Sequence, residues 1–173
     1  LRVSLTPDEI YGKVTAQLLT NFGFSKGLVG LCSTPDQVTW CSLIGVHEEE
    51  ANQIRDHLLV DHWLQDLLAS STPRTLTAAT AKPNEQRLLD LLAASTLVVA
   101  GIVPQAGSSG CLLLVREGLT TSEGRGDEEL VAILTTQLAI AVENSNLYEA
   151  VGRSRQDLER KVQERTRELA EAN

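Results

Sequence analysis

Aromatic side chains are scarce in this chain, since two Trp, two Tyr and two Phe make up 3% of its 173 residues. So few rings offer little material for a flat stacking site that would bind a purine or a tetrapyrrole. The sequence therefore favours a small ligand or none. The cofactor is unknown at this point, and we expect none.

Cysteine is sparse as well. Cys32, Cys41 and Cys111 are an odd number, lack metal-type spacing and lie among apolar residues. This composition predicts buried free thiols in a reducing cytosol. It predicts no metal site.

Long apolar runs and methionine are also missing. By inspection, no stretch approaches the roughly 18 apolar residues that cross a bilayer. Residues 1–5 lack the apolar stretch and the cleavage site of a signal peptide. We expect a cytoplasmic fragment cut from a longer chain, without membrane contact from this part.

The chain also has few positive charges relative to negative ones, and its formal net charge is −8. Direct nucleic-acid binding needs Lys and Arg concentrated on one face. The one charge-dense stretch, 153–168, mixes both signs. We therefore expect no nucleic-acid partner.

The chain opens with a clear helix signal. Thr6-Pro7-Asp8-Glu9 is a capping-box pattern with Pro at the first helical position. Ile10, Val14, Leu18 and Phe22 follow at helical spacing. The later elements are predicted from turn residues, apolar runs and periodicity. They are strands at 27–33 and 38–46, helical pieces over 47–69 broken near Val60-Asp61, an edge strand at 75–77, a helix capped by Asn84, and strands at 96–103 and 111–115.

The last segment predicts one long helix. From about Asp127 to the end there is no Pro, and Gly152 is the only Gly. Such a helix is roughly 70 Å long, about twice the width of the globule before it, so it must project. A heptad register with polar insertions at Gln137, Asn144 and the two arginines 155 and 165 predicts a weak parallel homodimer. The predicted interface residues are Leu134, Ala141, Tyr148, Val151, Leu158, Val162 and Leu169.

Several stretches resemble GAF domains. Val103-Pro104, a Gly-rich loop and Cys111-Leu112-Leu113-Leu114 look like the last two strands of that family. Residues 127–131, 137–144 and 147–148 resemble its final helix. Residues 158–169 are similar to linkers that enter the dimerisation helices of bacterial histidine kinases. One departure is Glu123-Gly124-Arg125-Gly126, where the family usually has an aromatic residue.

The resemblance implies an α+β fold in which an antiparallel sheet carries the first and last helices on one face. The other face, covered by the middle segment, holds the ligand pocket where one exists. We accordingly divide the chain into a sensor domain at 5–126 and a coiled-coil signalling helix at 127–173.

Ligand-binding candidates are the aromatic, His and Arg residues near the supposed pocket. They are Trp40, His62, Trp63, Arg74 and Arg87. For Trp40 the sequence favours core packing over a pocket position, and for Arg87 it favours a solvated helix face beside Glu85. His57 and His62 lie some 140° apart on a helix, which is poor for chelation. No Cys in the middle helical region is followed by His, as in many bilin-binding relatives.

Catalytic groups are not predicted. The chain shows no nucleophile with a general base, no phosphate loop and no confined carboxylate pair. The function expected is a sensory input domain of a two-component protein, covalently linked to a histidine kinase or other output domain. A small-molecule ligand stays open. The alternatives are a ligand-free structural dimerisation spacer and a small thiol-based redox enzyme.

Overall fold

The computed structural model describes residues 6–34, 36–70, 72–117 and 124–173. The predicted α+β class is confirmed: a five-stranded antiparallel sheet, in the order β2-β1-β5-β4-β3, is flanked by helices. The strands are β1 (Lys26–Thr34), β2 (Gln37–Ile44), β3 (Arg74–Thr77), β4 (Thr96–Ile102) and β5 (Ser109–Arg116). The helices are α1 (Pro7–Phe22), α2 (Glu48–Leu58), a 3-10 turn (Val60–His62), α3 (Trp63–Ala69), α4 (Pro83–Leu91) and α5 (Gly124–Ala172).

The start of α1 is set by its capping box, as predicted. The Thr6 N–H donates to Glu9 Oε2 at 2.9 Å, and the Glu9 N–H donates to Thr6 Oγ1 at 3.4 Å. Pro7 occupies the first helical position, where a missing N–H costs nothing. Pro35 in the predicted β1–β2 turn and Ser71 after α3 lie outside the described residues.

The middle segment divides where the sequence predicts a break. Asp61 and His62 have φ values of 54° and 58°, which end α2 and redirect the chain into α3. The prediction that Asn84 caps the next helix is wrong, because α4 begins at Pro83. The Lys82 N–H donates to Glu85 Oε1 at 3.1 Å, so a Glu in the first turn satisfies the donor ahead of the helix.

The two faces of the sheet bury separate apolar cores, in the arrangement that the resemblance implies. Helices α1 and α5 cover one face, where Tyr11, Val29 and Val131 are buried. The middle segment, from α2 to α4, covers the other face, where Leu28, Ile54 and Leu113 are among the buried residues. We call these the α1/α5 face and the middle-segment face.

Helix α5 has 49 residues, which corresponds to about 73 Å. It begins at Gly124, three residues before the predicted Asp127, so the predicted domain boundary falls inside its first turn. Val131, Leu138 and Val142 are buried against the sheet, whereas every residue from Leu147 onward is exposed. The helix projects from the globule as predicted.

One helix in the described part of the chain, spanning Gly126–Ala172, passes a length-and-composition test for a membrane span. One of its 18-residue windows has a mean hydropathy of 1.2. The core helix of a soluble protein passes the same test. A single helix of this kind is therefore a weak sign of a membrane span.

Candidate functional site

Glu85 is the centre of a polar cluster under the middle segment, and the sequence analysis missed its role. Its side chain is 0% exposed. Glu85 Oε2 accepts hydrogen bonds from Trp63 Nε1 and from Arg74 Nη2, both at 3.0 Å, while Oε1 accepts from the Lys82 N–H. The structure therefore brings two of the five predicted site residues, Trp63 and Arg74, to one carboxylate.

The charge on Glu85 is stabilised by its partners. Burial by itself raises the pKa of this carboxyl. The hydrogen bonds from Trp63 and from the Lys82 N–H, with the positive charges of Arg74 and Lys82, outweigh burial and leave the pKa below its ordinary value of 4.5. Glu85 is therefore a buried, ionised carboxylate whose two oxygens both accept hydrogen bonds.

Trp40 lies apart from that cluster. Its Nε1 donates to the Ala51 carbonyl at 3.0 Å, which fixes β2 to α2. The ring also lines a surface cleft of about 300 Å³ together with Glu48 and Arg55. Trp40 thus has the packing role that the sequence favours, and its ring also borders a surface cleft.

His62 and Arg87 do not join the other candidates. Both are exposed, and His62, the last residue of the 3-10 turn, has a left-handed backbone conformation. Arg87 lines a separate cleft of about 440 Å³ between α2 and α4, together with Asp56 and His57. The five predicted ligand-binding residues therefore do not converge on one cavity. Among the described residues, no group of three or more His, Cys, Asp or Glu could hold a metal ion.

The three free cysteines are divided between the two faces of the sheet. Cys32 and Cys111 are buried in the middle-segment core, and Cys41 packs against the α1/α5 core. The Cys41 thiol donates to Asp8 Oδ1 at 3.4 Å. Burial and the neighbouring Asp8 raise the pKa of Cys41 to about 12, so this thiol stays protonated and unreactive.

Helix α5 is fixed to the sheet by polar contacts at two levels. At its start, Asp127 pairs with Arg116, and Glu128 Oε1 accepts from the Thr75 N–H at 3.1 Å. The second level is near the middle of the helix, where Glu143 accepts a hydrogen bond from the Gln105 N–H and Asn146 Nδ2 donates to the Ala106 carbonyl at 3.4 Å.

The β4–β5 loop is shaped for the second of these contacts. Gly107 has φ 108°, and a Cβ at this position would collide with Asn146 Nδ2. The same region borders a third cleft, of about 340 Å³, which is also lined by Pro7, Ser108 and Arg153. The loop and both anchor levels therefore hold one side of α5 in a fixed place on the sheet.

The opposite side of α5 carries a row of exposed apolar side chains. Their exposed fractions range from 51% at Ile140 to 67% at Leu169. Ile133 and Leu169 are separated by 36 residues, or about ten turns, and the row stays within about 40° of one line along the helix. We call this row the α5 stripe. It consists of Ile133, Ile140, Leu147, Val151, Leu158, Val162 and Leu169.

The α5 stripe overlaps the predicted dimer interface only in part. Val151, Leu158, Val162 and Leu169 belong to both sets, and Tyr148, 71% exposed, lies at the stripe's margin. Leu134 instead packs against the protein's own sheet core, and Ala141 is half-buried. A strict heptad drifts around a straight helix, so following it back from Leu169 leads to the sheet-facing side. A period of 3.6 residues would have selected Ile133, Ile140 and Leu147.

Solved structures with a similar fold include several GAF domains. The phycoerythrobilin-bound GAF domain from a cyanobacterial phytochrome matches with a TM-score of 0.63 at 18% identity, covering 84% of this chain and 90% of that one. The GAF domain/HD domain protein from Geobacter sulfurreducens matches with a TM-score of 0.60 at 12% identity, covering 85% and 99%.

A third structure is the GAF domain of a protein assigned as a sensor histidine kinase from Pseudomonas syringae pv. tomato. It matches with a TM-score of 0.56 at 19% identity, covering 87% of this chain and 83% of that one. No family model and no curated protein matches the sequence. The chain therefore has the fold of GAF domains, as its sequence resemblance predicted.

Proposed function

We propose that this chain is a regulatory input domain that relays a stimulus through a dimer of α5 to a covalently linked output domain. The observation that carries the proposal is the α5 stripe, an exposed apolar line on a helix whose other side is fixed to the sheet. The GAF domains of similar fold include one from a protein assigned as a sensor histidine kinase, which supports the signalling class.

The partner that fits the α5 stripe is a second copy of the same helix. A continuous apolar row in water marks an interaction surface. In a parallel, in-register pair each stripe residue meets its own copy, and the polar Asn144 beside Ile140 and Leu147 fixes register. The parallel arrangement also brings the two C-terminal ends together, where an output domain such as a histidine kinase would follow.

The period of the α5 stripe defines the geometry of that pair. A repeat of 3.5 residues per turn produces a left-handed supercoil, whereas 3.6 matches an undistorted α-helix. The stripe has the second period, so the two helices pack along a straight seam. Arg155 and Arg165 lie at the margins of the seam, where they weaken the pair.

A weak seam is suited to a relay, because a small free-energy change alters its packing. The input is the sheet: Arg116 of β5 and Thr75 of β3 are bound directly to the first turns of α5. A displacement of either strand therefore reaches the helix pair. In this account the protein works in the cytoplasm, and the stimulus acts at the middle-segment face.

A ligand at the middle-segment face would have to compete with the Glu85 cluster. Arg74, with 42% of its side chain exposed, is the member that can turn outward. A small anion that takes Arg74 from Glu85 would open this layer. Bilins are bound by two of the similar GAF structures, but the buried Trp63 and the scarcity of aromatic residues favour a smaller ligand here.

The second candidate function is a ligand-free dimerisation spacer. It is favoured by the satisfied Glu85 cluster, because Trp63, Arg74 and Lys82 already supply the bonds that a ligand carboxylate would accept. A thiol-based redox enzyme has less support. None of the three clefts described above is lined by a cysteine.

Sedimentation equilibrium tests the proposal. Wild-type protein is expected to form dimers, and Leu158→Glu, which places a charge on the α5 stripe, is expected to be monomeric. Gln156→Glu adds the same charge about 140° away from the stripe and should stay dimeric. A wild-type monomer, or equal effects of the two substitutions, would contradict the proposal.

Native mass spectrometry of the same wild-type sample separates the two candidate functions. The native mass is compared with the denatured mass. Additional non-covalent mass on the dimer supports a liganded sensor, whereas a bare dimer shifts the balance to the spacer.

A further inference from the structure

The cleft of about 340 Å³ beside the β4–β5 loop is lined by four separate parts of the chain. Pro7 begins α1, Leu31 belongs to β1, and Gly107 and Ser108 belong to the loop. The fourth part is α5, over residues 142–153. We call this the α5 exit cleft, because it lies where the helix leaves the globule. Its volume is within the range of small-molecule sites.

The walls of the α5 exit cleft are held together by contacts within the protein. Glu143 and Asn146 of α5 bind the loop backbone at Gln105 and Ala106. A Cβ at position 107 would collide with the Asn146 amide, so the close approach of the loop to α5 requires glycine. The cleft is therefore formed before a ligand arrives, which lowers the entropic cost of binding.

The deep part of the cleft is aliphatic. Val142 is buried and Leu31 is half-buried, and both line the cleft together with Pro7 and Ala150. Burial of apolar ligand surface against such side chains favours binding. The lining therefore suits a ligand with a small aliphatic group.

Glu149 and Arg153 stand at the outer part of the same cleft, one helical turn apart. Arg153 Nη2 lies 3.7 Å from Glu149 Oε2, which is too long for a hydrogen bond. The carboxylate and the guanidinium thus keep hydrogen-bonding capacity for a third partner. A ligand that carries both an ammonium and a carboxylate complements this pair, because each of its charges meets the opposite one.

We propose that the α5 exit cleft binds a free α-amino acid with an aliphatic side chain. The ammonium of the ligand binds Glu149, its carboxylate binds Arg153, and its side chain packs towards Leu31 and Val142. Glu149 and Arg153 are each two residues from Val151 of the α5 stripe, which places them about 160° away around the helix. The ligand and the partner helix therefore occupy opposite sides of α5.

This site is additional to the proposed function and does not rest on it. Every residue of α5 from Leu147 onward is exposed, so the turns that carry Glu149 and Arg153 are the first to leave the globule. A bound amino acid would join these turns to the β4–β5 loop and to the start of α1. Occupancy of the cleft would thereby fix the direction in which the projecting helix begins.

Isothermal titration calorimetry of the full chain with L-leucine, L-isoleucine and L-valine, each titrated separately, tests the proposal. At least one of the three should bind, with one ligand per chain. For the amino acid that binds, two analogues test the two charges. The acid that lacks the ammonium and the amine that lacks the carboxylate should each bind at least about tenfold more weakly.

Substitutions test the two charged residues. Glu149→Gln and Arg153→Gln should each raise the Kd about tenfold, because each removes a charge-assisted contact with the ligand. Arg167→Gln and Glu171→Gln are the matched controls, since Arg167 and Glu171 form an ion pair of the same 3.7 Å length on α5 outside the cleft. These two substitutions should leave the Kd unchanged.

The position of the ligand is measured by ¹H–¹⁵N NMR. The amide signals of Ser108, Asn146 and Ala150 should shift when the amino acid is added, whereas those of Trp63 and Arg74 on the middle-segment face should not. The proposal is overturned if none of the three amino acids binds, if the analogues bind as tightly, if the cleft substitutions behave like their controls, or if the shifts lie on the middle-segment face. Each of these results leaves the dimer to be decided by sedimentation.

Discussion

Arg116, the last residue of β5, holds Asp127 in the first turn of α5 through two hydrogen bonds of 2.8 and 2.9 Å. The guanidinium also lies over the ring of Phe24, 4.3 Å from its centroid. These contacts join the sheet to the projecting helix across a chain separation of 11 residues. They fix the first turn of α5 to the end of β5.

The Arg116–Asp127 pair predicts a loss of stability for Asp127→Asn. Bidentate charge-assisted bonds between half-buried or buried groups are replaced by a weaker contact, so unfolding should cost about 2 kcal/mol less. Urea unfolding measures the change. The matched control is Asp157→Asn, since Asp157 pairs with Arg160 at 3.9 Å in full solvent and should have an effect near zero. Equal effects of both substitutions would contradict this assignment.

The Glu85 cluster predicts an acid-sensitive contribution to stability. Because the pKa of Glu85 is lower in the folded state than its ordinary value of 4.5, the contribution is complete above that pH and is lost as the pH falls below it. Glu85→Gln should destabilise the protein by about 2 kcal/mol at pH 7 and flatten the decline of Tm between pH 5 and 3. Glu49→Gln, at an exposed position of α2, serves as the control. The assignment fails if Glu85→Gln leaves the pH dependence unchanged.

Neighbouring residues on α5 predict opposite kinds of defect. Leu134→Ala removes packing against the sheet, so it should lower the unfolding free energy by about 1–2 kcal/mol in the monomeric Leu158→Glu background. Ile133→Ala should change that monomer stability by less than about 0.5 kcal/mol. In the otherwise wild-type chain Ile133→Ala should weaken dimerisation by about tenfold. Chemical denaturation measures the monomer stability, and sedimentation measures the dimerisation. If Leu134→Ala weakened the dimer and Ile133→Ala destabilised the monomer, the dimer interface would follow the predicted heptad instead of the α5 stripe.

Two arginines at the margins of the α5 stripe limit the strength of the proposed dimer. Arg155 and Arg165 form exposed pairs with Glu159 and Glu168, each worth at most about 0.5 kcal/mol. Leu at both positions should bury apolar surface worth more than that and tighten the dimer. The sedimentation Kd should fall. Arg160→Leu, on the opposite side of the helix, is the control, and unchanged affinity in the double variant would refute a seam at these margins.

Local sequence signals were sufficient to predict much of the fold. The capping box at Thr6, the break at Asp61 and the two hairpins depend on residues close together in the chain. The error at Asn84 has a local cause too. Pro83 at the first helical position and the Glu85 side chain bound to the Lys82 N–H place the start of α4 at Pro83, one residue before Asn84. The antiparallel sheet with the first and last helices on one face came from the resemblance rather than from periodicity, and the order of the strands was not predicted.

The contacts that define the candidate sites depend on long-range pairing, which periodicity does not encode. Trp63 and Arg74 meet Glu85 from 22 and 11 residues away, on separate elements. The α5 exit cleft is lined by α1, β1, the β4–β5 loop and α5, which are far apart in the chain. The orientation of Leu134 likewise depends on where the sheet meets α5, so the heptad alone could not place it on the buried side.

The central claim is a parallel α5 pair along the stripe, and cysteine crosslinking tests it most directly. Leu169→Cys and Ile133→Cys are prepared separately in a Cys41→Ser background and oxidised with copper-phenanthroline. The account predicts that each variant crosslinks to its own copy, because a parallel in-register pair places identical stripe residues opposite each other. It is contradicted if neither variant crosslinks alone, and above all if only a mixture does, since that result defines an antiparallel pair.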